Sequence, residues 1–277
     1  MSEQGQTGAH VAVLGGGVMG ETLLAALLAS GWSPESVEVT EQSATRADDL
    51  AARYSVRTGS SNAEAAARAD VVLVAVKPQV VGTVLDDIAA SLRGGTLVVS
   101  VAAGLPLSFY ERRLPATTPV VRVMPNTPAV VGKGASAIAA GAHASEGHLV
   151  LVEKILATTG LVVRVAEKDL DAVTAISGSG PAYAFYLIDA MAEAGVLLGL
   201  TRDLATRLAI ATVEGSAALA AQSGDHPVVL RERVSSPGGT TVAAVRELDA
   251  HGVRAGVVAA AQAAADRSRE LGSQYAG

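Results

Sequence analysis

Gly15-Gly16-Gly17-Val18-Met19-Gly20 places glycines at the first, third and sixth positions of a window that follows an apolar run, His10–Leu14, and precedes a helical one, Glu21–Ser30. In that setting the spacing has a mechanical reading. Gly15 permits a tight turn, Gly17 lets the backbone approach a pyrophosphate, and Gly20 lets the helix pack closely on the strand. The N–H groups of the opening helix, at Val18 and Met19, then face the anion. Outside a strand–turn–helix the pattern is weak, and the plain alternative is a glycine-rich loop with no ligand. The next apolar segment, Val37–Thr40, runs into Glu41-Gln42-Ser43. An acid at that point holds a ribose 2′-hydroxyl and points to NAD. Thr40, Ser43 and Arg46 would serve a 2′-phosphate, hence NADP, if Glu41 turned away. The residues leave both open.

Three more segments stand where apolar runs end: Ala75-Val76-Lys77-Pro78, Ser100-Val101-Ala102-Ala103-Gly104 and Met124-Pro125-Asn126-Thr127-Pro128. Strand C-termini are where ligands bind in open α/β sheets. A fourth, Val234-Ser235-Ser236-Pro237-Gly238-Gly239-Thr240-Thr241, leads into a helical stretch over Val242–Leu248. Small and turn-forming residues before a helix expose backbone N–H donors that suit a small carboxylate. Cysteine is absent, so no thiolate nucleophile, iron–sulfur cluster or disulfide framework is available. The histidines are isolated. His143 and His148 are five apart and would diverge by roughly 140° on a helix, so no metal is expected.

The elements that must carry these segments are legible from the apolar pattern. His10–Leu14, Val37–Thr40, Val71–Val76, Thr96–Val101, Val120–Met124 and Ala135–Ala140 read as strands. Several are unbroken and β-branched, as in parallel strands buried on both faces. Helical stretches over Glu21–Ser30, Ala44–Tyr54, Val80–Leu92 and Leu149–Thr159 fall between or after them. That alternation predicts a Rossmann-type doubly wound sheet over residues 10–166, after a polar, flexible tail at 1–9. Beyond Glu167 the pattern is almost wholly helical, over Ala182–Leu198, Leu204–Gln222 and Val253–Leu271. Small residues lie on several faces of these helices, which suits burial. Residues 167–277 are expected to form an all-α domain that makes a homodimer, the plain alternative being an ordinary monomeric bundle.

The chain has 277 residues, 49% of them hydrophobic and 17% charged, which supports a sizeable core and excludes general disorder. With a formal charge of −6 and 3% aromatics, it lacks the basic, aromatic-lined surface of a nucleic-acid binder. No uncharged apolar run reaches the roughly 18 residues of a membrane span. The polar start lacks the layout of a signal peptide, and a cytoplasmic protein is expected.

Read together, GGGVMG, AVKP, SVAAG, MPNTP, AISGSGPAY (Ala175–Tyr183) and VSSPGGTT closely resemble the Δ1-pyrroline-5-carboxylate reductase family, from about Val11 to Leu271. The last two motifs, in this order and spacing, are far more specific than a nucleotide fingerprint. The resemblance implies hydride transfer from a nicotinamide to a cyclic imine, the last step of proline biosynthesis. It implies NADPH as the favoured reductant and NADH as the alternative. It also implies a dimer, often assembled further into a decamer, with the active site between one subunit's cofactor and the other's helical domain. By the same resemblance Gly15, Gly17, Val18, Met19, Gly20, Asn62, Ala75, Val76, Lys77, Pro78, Ala102 and Ala103 line the cofactor. Ser236, Gly239, Thr240 and Thr241 hold the substrate carboxylate, and Glu167 lies near the substrate. Thr241, close to the ring nitrogen, is the catalytic candidate, in an orienting role with proton donation as an open extension. Its plain alternative is a helix-capping threonine. An imine that arrives protonated needs no strong enzyme acid, so positioning is the main task.

Two rivals compete. A β-hydroxyacid-type dehydrogenase shares the plan but needs a lysine on its helical domain, and Lys168, the only lysine after Lys154, sits in a charged junction. A non-catalytic dinucleotide sensor would keep GGGVMG but has no need of SSPGGTT.

Overall fold

The computed structural model describes residues 8–275. The first half alternates strand and helix: β1 (Val11–Leu14), α1 (Val18–Ala29), β2 (Val37–Thr40), α2 (Ala44–Tyr54), β3 (Arg57–Gly59), α3 (Asn62–Arg68), β4 (Val71–Val74), α4 (Pro78–Ile88), β5 (Leu97–Ser100), α5 (Leu107–Glu111) and β6 (Val120–Met124). Then follow β7 (Gly134–Ala140), α6 (Glu146–Leu156), β8 (Gly160–Arg164) and the short α7 (Leu170–Val173), which runs into one π-helical turn over Thr174–Gly178. The eight strands form one sheet in the order β3-β2-β1-β4-β5-β6-β7-β8. The first six are parallel, β7 is antiparallel to β6, and β8 is parallel to β7. The expected Rossmann-type doubly wound sheet is present. The chain reverses its direction of winding between β1 and β4, and that gap is the topological switch point.

The strand residues explain the layering. Successive side chains of β1 enter opposite cores. Val11 and Val13 pack with Leu23, Leu27, Trp32 and Leu50, while Ala12 and Leu14 pack with Leu85, Ile88, Phe109 and Tyr110. Such two-sided burial requires the unbroken apolar runs VAVL and VVLV. Trp32 is a packing residue of the first of these cores.

The second half is helical: α8 (Gly180–Leu197), α9 (Arg202–Ser223), α10 (Pro227–Arg233), α11 (Thr240–Ala250) and α12 (Val253–Ser273). By contacts the chain falls into two compact units, one through Gly178 with the residues from Ala264 onward, the other Ser179–Ala263. The division thus lies beyond the 166/167 boundary expected from sequence, because the 167–178 segment and the end of α12 bond within the sheet unit. Ser268 Oγ donates to Asp171 Oδ1 at 2.6 Å, and the Tyr275 ring meets Phe109 edge-on at 5.5 Å. Nine residues expected as a tail, 1–9, lie mostly outside the described residues. Within the helical unit, α8 and α9 pack through Ala192, Ala205 and Ala209. A Cβ on Gly195 would stand 2.8 Å from that of Ala205, so this crossing depends on glycine. Elsewhere these helices expose large apolar groups, with Tyr186, Leu197 and Leu198 at least 80% accessible. By length and apolar content α9 would also pass for a membrane span, although it carries Arg202, Asp203, Arg207 and Glu214.

Candidate functional site

The glycine turn joins β1 to α1 at the switch point. Gly15 has φ +103°, and a Cβ there would meet Ala75 O and Val76 Cγ1 at 2.9 Å. A Cβ on Gly20 would lie 1.9 Å from Gly15 O, whereas Gly17 has open space around it. The first N–H returned into α1 is that of Glu21, to Gly17 O (2.8 Å), so the N–H groups of Val18, Met19 and Gly20 precede the helical ladder. Gly17 is the cap residue and offers no side chain. A cradle closed below and open above fits a dinucleotide pyrophosphate. The sequence pattern treats Gly16 as a free position, but the structure does not. A Cβ there would meet Leu50 Cδ1 at 2.7 Å and Glu41 Oε2 at 3.1 Å.

Beside this turn lies a cavity of about 340 Å³ lined by Gly15, Thr40, Glu41, Asn62, Val76 and Val84 among others. Asn62 opens α3, and its Oδ1 accepts from the Thr40 hydroxyl at 2.6 Å. Ala75 is held to β1 by its N–H to Leu14 O (2.9 Å), Lys77 caps α4, and Pro78 is the first residue of that helix. Pro78 suits that place because its missing N–H would have no partner there. Ala102 is positioned from below. Its N–H donates to Ser100 Oγ (3.2 Å), which pairs in turn with the Tyr110 hydroxyl (2.7 Å). Burial pushes the Tyr110 phenol up to about 12, and the Ser100 bond works against that. The structure therefore brings the sheet-side residues Gly15, Gly17, Val18, Met19, Gly20, Asn62, Ala75, Val76, Lys77, Pro78, Ala102 and Ala103 to the C-terminal ends of adjacent strands and the helix starts that follow.

Outside the glycine turn, Glu21 anchors α1 to α2. It accepts from Arg53 (2.6 Å), from the Tyr54 hydroxyl (2.8 Å) and from Arg46. Burial alone would raise its pKa, but these three bonds outweigh that and hold it at about 2.

Asn126, named in sequence only as part of MPNTP, has a role of its own. Its Oδ1 accepts from Ala135 N (2.8 Å) and its Nδ2 donates to Ser177 O (3.0 Å), so the MPNTP loop is stitched to the π-helical turn. Both motifs stand out in the sequence, but nothing in either says that they bond to each other. Glu167 has internal partners. Its Oε1 accepts from Leu107 N (2.6 Å) and from the buried Arg122 (3.1 Å).

In the helical unit the VSSPGGTT segment forms a turn and opens α11. Gly238 has φ +69°, and a Cβ on Gly239 would meet Ser236 Oγ at 2.4 Å. The Gly239 N–H is already engaged, to Ser236 O at 2.9 Å, so glycine closes the turn here and leaves the donors to the residues after it. The first N–H turned back into α11 is that of Ala243, to Gly239 O at 3.3 Å. The N–H groups of Thr240, Thr241 and Val242 precede it. Gly239 is the cap, and Thr241 is the second helical residue. Capping by Thr241, its plain alternative role, is therefore not what the hydroxyl does. Arg233, just before this turn, pairs with Asp225. His148 caps α6 together with Ser145. Among the described residues no group of three or more His, Asp or Glu could hold a metal ion.

Comparisons with known proteins match both halves. Residues 167–271 fit a family described as pyrroline-5-carboxylate reductase dimerisation, and residues 10–104 fit one described as NADP oxidoreductase, coenzyme F420-dependent. A pyrroline-5-carboxylate reductase from Corynebacterium melassecola is 47% identical over 95% of this chain and 98% of its own. The solved structure of a pyrroline-5-carboxylate reductase from Coxiella burnetii superposes with a TM-score of 0.91 at 35% identity, covering 95% of this chain and 98% of that one. That of Plasmodium falciparum pyrroline carboxylate reductase with NADP bound gives 0.86 at 30% identity, over 97% and 100%. An NAD(P)-type oxidoreductase sheet with an open glycine cradle, followed by the helices of this dimerisation family, leaves one assignment: the chain belongs to the pyrroline-5-carboxylate reductase family.

Proposed function

We propose that the chain reduces the cyclic imine 1-pyrroline-5-carboxylate to L-proline with a reduced nicotinamide dinucleotide, the last step of proline biosynthesis. The observation that carries this reading is the start of α11, where two threonine N–H groups and the Thr241 hydroxyl are left over after the turn has satisfied itself. The Ser236 hydroxyl and the N–H groups of Thr240 and Thr241 hold the substrate carboxylate, helped by the positive end of an eleven-residue helix. Gly239 takes part by shaping the turn. The Thr241 hydroxyl accepts from the protonated ring nitrogen, which fixes the imine carbon for attack and keeps the proton on nitrogen. When bound, the reduced nicotinamide supplies the hydride. On the sheet side, Gly15, Gly17 and Gly20 admit the pyrophosphate to the N–H groups of Val18 and Met19. Asn62 borders the ribose, and the Ala75–Pro78 and Ala102–Ala103 segments flank the rest. Glu167 acts near the substrate through its hold on Leu107 and Arg122.

NADPH as reductant is supported by the NADP bound in the Plasmodium relative. The ribose side of this chain supports NADH. The exposed apolar faces of the helical unit and the matching dimerisation family support a homodimer, and the resemblance extends this to a decamer. A cysteine-free chain suits the reducing cytoplasm. The test is purified full-length protein with pyrroline-5-carboxylate and each reduced cofactor in turn, read by proline formation. Oxidation of neither cofactor, with no proline formed, overturns the assignment.

A further inference from the structure

We infer that this chain selects NADH over NADPH and that Glu41 makes the selection, which rests on reading the glycine turn as a dinucleotide site. The sequence offers one acid and three donors at the end of β2, and their geometry separates them. The Glu41 carboxylate is fixed in place: Oε1 accepts from Ser43 N at 2.9 Å and Oε2 from Gly16 N at 3.1 Å. It borders the cavity beside the glycine turn, where an adenosine ribose would lie. Of the three groups that could greet a 2′-phosphate, Thr40 and Arg46 donate elsewhere, and Ser43 Oγ serves as the cap of α2. The Thr40 hydroxyl donates to Asn62 Oδ1 at 2.6 Å, and Ser43 Oγ caps α2 by accepting from Arg46 N. Arg46 uses every nitrogen of its guanidinium: Nε on Gly16 O (2.9 Å), Nη1 on Asp49 (2.8 Å) and Nη2 on Glu21.

No lysine or arginine lines this cavity among the described residues. A 2′-phosphate would therefore meet a fixed carboxylate without a cation to offset either charge. A neutral ribose diol would instead donate to that carboxylate. Breaking Arg46 away from two carboxylates and a carbonyl to serve the phosphate would leave Glu21 and Asp49 with fewer cations, so the arrangement opposes that escape.

The test is direct binding to the full-length protein without imine substrate, by nucleotide fluorescence or calorimetry, so it stands apart from turnover. NADH is expected to bind at least tenfold more tightly than NADPH, and ADP more tightly than 2′,5′-ADP on the unaltered protein. Glu41→Ser narrows the NADH/NADPH ratio at least tenfold, and Glu41→Gln narrows it less because it keeps one acceptor. Arg46→Ala leaves the ratio where it was. Equal or tighter binding of NADPH by the unaltered protein overturns the inference. So does a ratio unmoved by both Glu41 variants, or a selective loss of NADPH binding in Arg46→Ala. If neither dinucleotide binds, the reading of the glycine turn falls along with it. If NADH binds preferentially but no proline forms, only the proposed reaction falls.

Discussion

Tyr110 and Ser100 offer a buried pair whose removal can be worked through in numbers. Both side chains are fully inaccessible, their hydroxyls lie 2.7 Å apart, and Ser100 also accepts from Ala102 N. Tyr110→Phe takes away one hydroxyl and leaves the other short of a partner, a loss of about 1–2 kcal/mol. Ser100→Ala strands a buried phenol and a backbone N–H together, for about 2–3 kcal/mol. The double variant removes both partners, so its cost falls below the sum of the singles by about 1 kcal/mol. Urea unfolding followed by the single, buried Trp32 measures all three against the parent. Alkali adds an independent check. The folded state holds this phenol at about 12, above the ordinary value near 10, so the stabilisation is intact below pH 10 and is lost as pH rises from 10 to 12. That difference corresponds to about 3 kcal/mol over the window. Tyr110→Phe removes that limb. Strict additivity of the singles, or an alkaline limb that survives in Tyr110→Phe, would refute the reasoning.

Glu21→Gln should remove a carboxylate whose pKa is held at about 2 against an ordinary 4.5. Its contribution is present above pH 4.5 and lost as pH falls toward 2. Discounted for partial exposure it is about 1–2 kcal/mol, so the variant should have a lower Tm at pH 7 and a flatter acid limb. Gly20→Ala forces a methyl against Gly15 O, a backbone atom that cannot rotate aside, and should weaken dinucleotide binding more than tenfold in a titration. Thr241→Val keeps the helix start, because Gly239 is the cap. It should lower kcat while leaving the cofactor Kd within twofold, and an unchanged kcat would dismiss the hydroxyl.

Much of the sheet was legible because its central strands are unbroken apolar runs that nothing but a two-sided core explains. What escaped had no such signature. β3 is Arg-Thr-Gly, three residues with one exposed, and α3 is a seven-residue alanine-rich helix whose strongest signal is the Ser61 cap. β8, largely exposed, has no alternating pattern, and β7, itself legible as a strand, hides its antiparallel direction because the Thr127–Val131 turn that joins it to β6 carries no hairpin dipeptide. α10 was hidden in what reads as a loop around Pro227. On the site side, the turn glycines could be named from spacing because their geometry is local. The requirement at Gly16 comes from Leu50 and Glu41, many residues away, and the engagement of Arg46 depends on where α1 and α2 meet. Such constraints exist only once distant segments have been brought together.

The sheet unit also takes in the far end of the polypeptide. Tyr275 stacks edge-on against Phe109, its carbonyl accepts from Arg112, and Ser268 bonds to Asp171. A ribosome thus releases more than eighty residues of helix after Gly178 before the last pieces of the first unit are available. Until they arrive the α5 aromatic lacks its edge-on partner. A fragment cut after Gly178 would leave the edge of that ring that Tyr275 meets without its partner, and adding a peptide spanning residues 264–275 in trans is the natural way to restore it.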